Sequence, residues 1–302
     1  MRKILDTYTS SLASRVRMAT AQRPLKQSKG RDTEGIKLTL YDYEASPWCR
    51  IVREQMTFLG LNVLIKPCPR QTLFTEGAFN EHSRFRKEAF DQCKFNGHGT
   101  QFQFPVLVDE TKVDDKKVIT ESREIVKHLW REYGTHITES RPKGDVILNS
   151  SRLPFFARFA FLSFPSVLRP FPRCGLLQTP SSIGPQQKPL KLLGAEGCPH
   201  ARLIREVLST LEIEYESIPT MYPGEYRLTD PNNNFDSDSW EEATNYLWKS
   251  YQKDRTPTWF ARIPHPNLGR SGNFFSAAAR AASAGKGSFV PDEIFCKKNV
   301  SN

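Results

Sequence analysis

Apolar and polar residues alternate along residues 37–43 (KLTLYDY), as in a strand with one buried face. The spacing then becomes helical, and four apolar side chains share one helix face: Ile51, Val52, Met56 and Leu59. Pro47 suits the first turn of this helix, and Gly60 suits its end. A second strand, LNVLIK, is predicted at 61–66.

The pattern further along the chain completes a recognisable order of elements. It predicts a polar, partly helical stretch over roughly 74–95, a strand at 103–109, a turn and a strand KVIT at 117–120. A last helix begins at Glu121 and reaches about Tyr133. The order βαβαββα is that of a thioredoxin-like domain. We expect its first two strands to be parallel, because a helix joins them.

The same pattern occurs twice in the chain. Residues 38–67 align with residues 190–219 without a gap, and 121–133 align with 239–251. The identical residues include the aligned pairs Glu44/Glu196, Pro47/Pro199, Arg50/Arg202, Arg53/Arg205, Glu54/Glu206, Leu59/Leu211 and Pro67/Pro219. We therefore predict an α/β protein with two thioredoxin-like domains. The second domain is reduced, because the spacing after its second strand leaves no room for a helix, and it leans on the first domain for burial.

The predicted organisation has five parts: a basic N-terminal extension (1–35), a first domain (36–135), a Phe/Arg/Pro-rich linker (136–188), a second domain (189–252) and a mostly disordered tail (253–302). Residues 1–31 of the extension are basic, carry a single acid, Asp6, and are rich in Ser, Thr and Ala. This composition is typical of either an organelle transit peptide or a disordered basic tail.

The linker contains a segment, 146–173, that combines phenylalanines and arginines with four prolines and no acid. The prolines and charges argue against a membrane crossing, which needs about 20 mostly apolar residues. Two interpretations stay open: a brace across both domains, or peripheral contact with a lipid surface. The linker and the second domain could also dock a protein partner.

Charge and cysteine content exclude other classes. The net charge of +10 lies mostly in tails and linker, without the aromatic interleaving of a nucleic-acid-binding sheet, so no nucleic-acid partner is expected. The six cysteines form no CxxC pair and lie at no metal-ligand spacing with the histidines, so no metal site is expected. A reducing compartment suits them best.

Three motifs in the first domain indicate thiol chemistry. The turn SPWC places Ser46 first and Cys49 last at a helix N-terminus, where free N–H groups stabilise an anion. Phe104–Pro105 precedes a strand, which resembles the cis-proline loop of the thioredoxin superfamily. Glu121 and Ser122 open the last helix, where they serve either as a simple cap or as polar contacts for a ligand.

Together these motifs resemble the N-terminal domain of glutathione S-transferases, and the tandem arrangement resembles a plant and algal group with two such domains. The matching stretches are YEASPWCRIVRE (43–54), CPR (68–70), FPVLVDE (104–110) and the Glu121–Ser122 pair. The resemblance implies glutathione as cofactor. It implies glutathione-binding residues Trp48, Phe104, Pro105, Glu121 and Ser122, with Ser46 or Cys49 facing the sulfur. It also favours a plastid location, with mitochondrion or cytosol as alternatives.

The second domain carries the opposite set of features. Its turn GCPHAR places Cys198 where the first domain has Ser46, which makes Cys198 a candidate catalytic thiol, and a cationic His200 would lower its pKa. Tyr226 stands in place of the cis-proline, and Ser239–Trp240 in place of Glu121–Ser122. The alternative is an uninvolved cysteine in a degenerate repeat.

The sequence thus leads to two hypotheses. The first is a glutathione-binding thioredoxin-fold protein with weak glutathione transferase or glutaredoxin-like thiol-exchange activity. The second is a catalytically inactive scaffold or subunit of an organellar complex.

Overall fold

The computed structural model describes residues 2–16, 21–28, 31–69, 83–95, 104–112, 115–138, 175–176 and 188–252. Its strands are β1 (Leu38–Asp42), β2 (Val63–Pro67), β3 (Val106–Asp109), β4 (Lys117–Thr120), β5 (Leu190–Gly194), β6 (Tyr215–Ile218), β7 (Tyr226–Asp230) and β8 (Phe235–Ser237). Its helices are α1 (Arg2–Val16), α2 (Pro47–Phe58), α3 (Arg86–Phe95), α4 (Ser122–Tyr133), α5 (Pro199–Thr210) and α6 (Trp240–Tyr251).

The strands form one mixed sheet in the order β4-β3-β1-β2-β6-β5-β7-β8. In the first half, β1 pairs in parallel with β2 and antiparallel with β3, and β3 pairs antiparallel with β4. These pairings, with α2 joining β1 to β2, are consistent with a thioredoxin-like fold. The helix predicted from Pro47 is α2, and the predicted stop lies at Gly60, whose φ is +63°.

The second half has the same pairing pattern and the same register. Thr39 pairs with Leu64 in β1 and β2, and the aligned Lys191 pairs with Glu216 in β5 and β6. Residues 219–225 join β6 to β7 without a helix, whereas α3 lies between β2 and β3. The short spacing in the sequence agrees with this difference.

The two halves meet where β2 pairs antiparallel with β6. One core cluster runs through both halves, from Leu40, Leu107 and Leu129 to Leu192, Leu211 and Leu247, each 1% exposed or less. Burial of this apolar surface is the main favourable contribution to folding, so the halves stabilise one another.

The N-terminal extension packs on both halves. We call its described part, residues 2–16 and 21–28, the N-terminal strap. Helix α1 contacts α5, and Ala13 is fully buried. Further along, the Leu25 amide donates a hydrogen bond to the Phe58 carbonyl (3.0 Å). This part of the extension is therefore ordered against the domains, unlike the disordered basic tail that its composition allowed; a role as transit peptide stays a prediction.

Other predictions fall elsewhere in the chain. The linker segment 146–173 and the tail 253–302 lie outside the described residues, so the brace and lipid-surface interpretations stay predictions. Within the part of the chain that the structure describes, no helix has the length and apolar character needed to cross a membrane.

Candidate functional site

Three predicted motifs lie at one end of the neighbouring strands β1, β3 and β4. Tyr41 near the end of β1 pairs with Val106 at the start of β3, which pairs with Thr120 at the end of β4. The turn of Ser46, the Phe104–Pro105 loop and the Glu121–Ser122 pair each adjoin one of these positions. Because hydrogen-bonded strands lie about 5 Å apart, the register brings the three motifs side by side.

Ser46 is the N-cap of α2. Its Oγ accepts a hydrogen bond from the Cys49 amide at 3.3 Å, and the side chain is 1% exposed. A hydroxyl that accepts one hydrogen bond still has its own proton to donate. Ser46 thus fixes the helix start and can also donate a hydrogen bond to a thiolate.

Cys49 is fully buried, one turn into α2. Burial, followed by the negative charge of Asp42, raises the pKa of its thiol to about 12. At neutral pH the group is a neutral thiol, which is a poor nucleophile. Both side chains are buried, but Cys49 lies inside the helix and is protonated, so Ser46 at the N-cap is the better candidate to contact a ligand sulfur. Trp48, beside it on the first turn, is partly exposed.

The Phe104–Pro105 peptide bond is cis, in agreement with the resemblance. The Phe104 ring lies edge-on to Tyr43 with ring centroids 6.5 Å apart. The Arg86 guanidinium covers the same ring at 4.9 Å from its centroid. These two contacts hold Phe104 between the turn after β1 and α3.

Arg86 is a site residue that the sequence analysis missed. Its Nε donates to the Pro69 carbonyl at 3.1 Å and its Nη2 to the Cys68 carbonyl at 2.8 Å. It therefore joins the CPR loop after β2 to the loop before β3. The sequence offers no signal for this role, because a single arginine at the start of a polar helix is normally a solvated side chain.

The start of α4 is unusual. Glu121 is its N-cap, has φ +70° and ψ 117°, and makes no side-chain capping hydrogen bond. Its side chain is exposed, and that of Ser122 is half-buried. A positive φ is unfavourable for a residue other than glycine, and such outliers cluster at ligand-binding positions. The uncapped N–H groups and the helix dipole also favour an anion at this point.

The equivalent helix start in the second half is ordinary. Ser239 has φ −99°, and its Oγ accepts a hydrogen bond from the Glu242 amide at 3.4 Å. The register of β5 and β7 places Tyr226 where Pro105 stands in the first half. The candidate glutathione contacts of the first half therefore have no counterparts here among the described residues.

Cys198 is fully buried at the N-cap of α5, and its Sγ lies 3.9 Å from the Gly224 carbonyl. Burial lowers the pKa of His200, so its imidazole is neutral at neutral pH. The cationic His200 that would favour a Cys198 thiolate is therefore absent. Its ring instead packs against Tyr226, with centroids 5.1 Å apart. The catalytic role of Cys198 stays a prediction.

Two other described cysteines, Cys68 and Cys93, are buried, and burial raises the pKa of both thiols. Among the residues that the structure describes, no group of His, Cys, Asp and Glu side chains could hold a metal ion.

Comparison with known proteins gives a family match for the first half. No curated protein matches the chain, and no solved structure matches it. Residues 40–137 match the family "Glutathione S-transferase, N-terminal domain". This match supports a thioredoxin-like domain similar to the N-terminal domain of glutathione S-transferases in this part of the chain.

Proposed function

We propose that the first half binds glutathione at the sheet edge formed by Ser46, Phe104–Pro105 and Glu121–Ser122. The observation that carries this proposal is the start of α4. A strained Glu121 with an exposed carboxylate stands there beside N–H groups that no side chain caps. The γ-glutamyl group has both an ammonium and a carboxylate. The Glu121 carboxylate can pair with the ammonium, and the N–H groups of the helix start can bind the carboxylate.

The chemistry proposed for this site is thiol activation. The Ser46 hydroxyl donates a hydrogen bond to the glutathione sulfur, which lowers the pKa of that thiol and raises its thiolate fraction at neutral pH. The thiolate then attacks an electrophile in a weak transferase reaction. Thiol exchange through Cys49 is the less favoured activity, because burial keeps that group protonated.

We also propose that the chain is a tandem protein of an organelle, with the plastid favoured by its resemblance to the plant and algal group. The identical strand registers of the two halves support the tandem arrangement. An inactive scaffold is the second candidate function. It is favoured by the complete burial of Cys49 and Cys198, which keeps both candidate thiols from solvent.

Calorimetric titration of the full chain with glutathione tests the proposal. We expect binding, and an affinity that falls about tenfold or more in Glu121→Gln, because a hydrogen bond to a charged group contributes roughly 1.5–3 kcal/mol. The matched control is Ser239→Ala, at the aligned start of α6, which should bind like the parent chain. S-Methylglutathione keeps the γ-glutamyl group but cannot form a thiolate. Its binding therefore reports the γ-glutamyl contact without the contact between Ser46 and a thiolate. No heat of binding with the parent chain would reject glutathione and leave the scaffold function.

A further inference from the structure

The N-terminal strap holds the turn that carries Cys198. Ser10 Oγ donates a hydrogen bond to the Pro199 carbonyl at 2.7 Å, just after the cysteine. Gln22 Nε2 donates to the Gly197 carbonyl at 2.7 Å, and the Gly197 amide donates to the Ala21 carbonyl at 2.9 Å. The strap therefore binds the backbone on both sides of Cys198.

These contacts use the polar groups of the turn itself. The Gly197 N–H donates to the Ala21 backbone carbonyl and the Gly197 carbonyl accepts from the Gln22 side-chain amide, so two neighbouring strap residues engage both polar groups of Gly197. Helix α1 contacts α5, the helix whose N-cap is Cys198, and its Ser10 and Ala13 are fully buried. With the strap in place, Cys198 is fully buried.

The strap has three features that cost free energy when it is packed on the domains. Ser14 Oγ and Ser28 Oγ are buried without a hydrogen-bond partner, which costs free energy in the closed state. Ala21, whose carbonyl binds Gly197, has φ +52°, an unfavourable conformation for alanine. Terminal segments with such features open at lower free energy than the core strands.

We infer that the N-terminal strap is an intramolecular cover that keeps the Cys198 turn closed, and that its release makes the Cys198 thiol reactive. Release leaves the shared sheet intact, because the strap contributes no strand to it. Proteolytic removal of the strap would have the same effect on the turn. The inference concerns the second half and is independent of glutathione binding in the first.

Alkylation with iodoacetamide, followed by peptide mass spectrometry of the full chain, tests the cover. In Ser10→Ala/Gln22→Ala we expect the labelling rate of Cys198 to rise about 30-fold, since each lost hydrogen bond shifts an equilibrium about fivefold. Cys49, buried in the first half, is the internal reference and should keep its rate. The matched control is Gln27→Ala, since Gln27 in the same strap bonds Thr138 of the first half (2.8 Å).

An unchanged Cys198 rate in a folded double variant would overturn the inference. Equal acceleration at Cys198 and Cys49 would also overturn it, because it would show global unfolding. Hydrogen exchange of the unmodified chain tests the same idea if the double variant does not fold. The Gly197 amide should exchange faster than the amides of β1 and β5. If it exchanges only as fast as those amides, the strap does not open separately from the sheet.

Discussion

Glu212 occupies in the second half the position that Gly60 occupies in the first. Both have a left-handed backbone, with φ +52° at Glu212 and +63° at Gly60. The Glu212 carboxyl is fully buried and accepts hydrogen bonds from Ser83 Oγ at 2.6 Å and from the Arg84 amide at 3.3 Å. It thereby ties the segment before α3 to the second half.

Stability at the residue scale should depend on the ionisation of Glu212. Burial raises its pKa to about 7, against the partly compensating hydrogen bonds from Ser83 and Arg84 and the charge of Arg86. A raised carboxyl pKa stabilises the fold at low pH, and this contribution is lost as pH rises from about 4.5 to 7. The unfolding free energy of the parent chain should fall between pH 5 and pH 8. Glu212→Gln should make this fall smaller by about 2 kcal/mol.

Urea unfolding at the two pH values measures this difference. Asp42, whose pKa burial raises to about 6, contributes in the same direction and remains in the variant. The control is Glu110→Gln, which replaces an exposed carboxyl in the same way and keeps Glu212. A variant that loses stability with pH as steeply as the parent would contradict the assignment to Glu212.

Residue-scale features differ in how far the sequence can predict them. Pro47 and Gly60 mark the ends of α2 because proline and glycine have backbone preferences of their own. Arg86 and Glu212 could not be predicted, since their roles depend on partners distant in sequence. The positive φ of Glu121 likewise has no signal in the sequence, because glutamate does not favour that conformation.

At the scale of elements, a buried cluster of charges joins α2 and α5 each to the turn that precedes the other helix. Arg53 on α2 contacts Glu196 of the second half at 2.9 Å, and Arg205 on α5 contacts Glu44 of the first half at 3.1 Å. Arg53 also contacts Asp42. These side chains are all nearly inaccessible to solvent. The sequence alignment pairs Glu44 with Glu196 and Arg53 with Arg205, but only the fold shows that each arginine reaches the other half's glutamate.

A double-mutant cycle between Arg53 and Glu196 measures this contact. Arg53→Met should destabilise the protein by about 3–5 kcal/mol, because it removes a buried cation that both Asp42 and Glu196 contact. Glu196→Gln should also be destabilising, and the double variant should lose less than the sum of the two. The control cycle uses the exposed pair Lys127 and Glu124, with an expected coupling of about 0–1 kcal/mol. Additive effects of Arg53→Met and Glu196→Gln would show that the buried pair is not coupled.

At the scale of the whole molecule, the β2–β6 pairing makes one sheet of two similar halves. The sequence predicted the elements of each half, because strand and helix periods are local. It predicted that the second half leans on the first, but not the continuous sheet, since the pairing of two strand edges depends on residues far apart in the chain. With β2 as a shared strand, a separated first half would expose an unpaired edge and the buried charges of α2.

The shared sheet predicts that damage to one half loosens the other. Leu247 on α6 is fully buried in the second half, and Leu247→Ala should cost about 2–5 kcal/mol. If the sheet unfolds as one unit, the free energy of opening at the β1 amides in the first half should fall by the same amount. Hydrogen exchange followed by mass spectrometry measures this change as a faster exchange rate. The reciprocal variant, Leu129→Ala on α4, should accelerate exchange in β5. In a cooperative unit, every amide that exchanges through global unfolding shows the whole loss of stability. Faster exchange in the mutated half alone would therefore mean that the halves open independently.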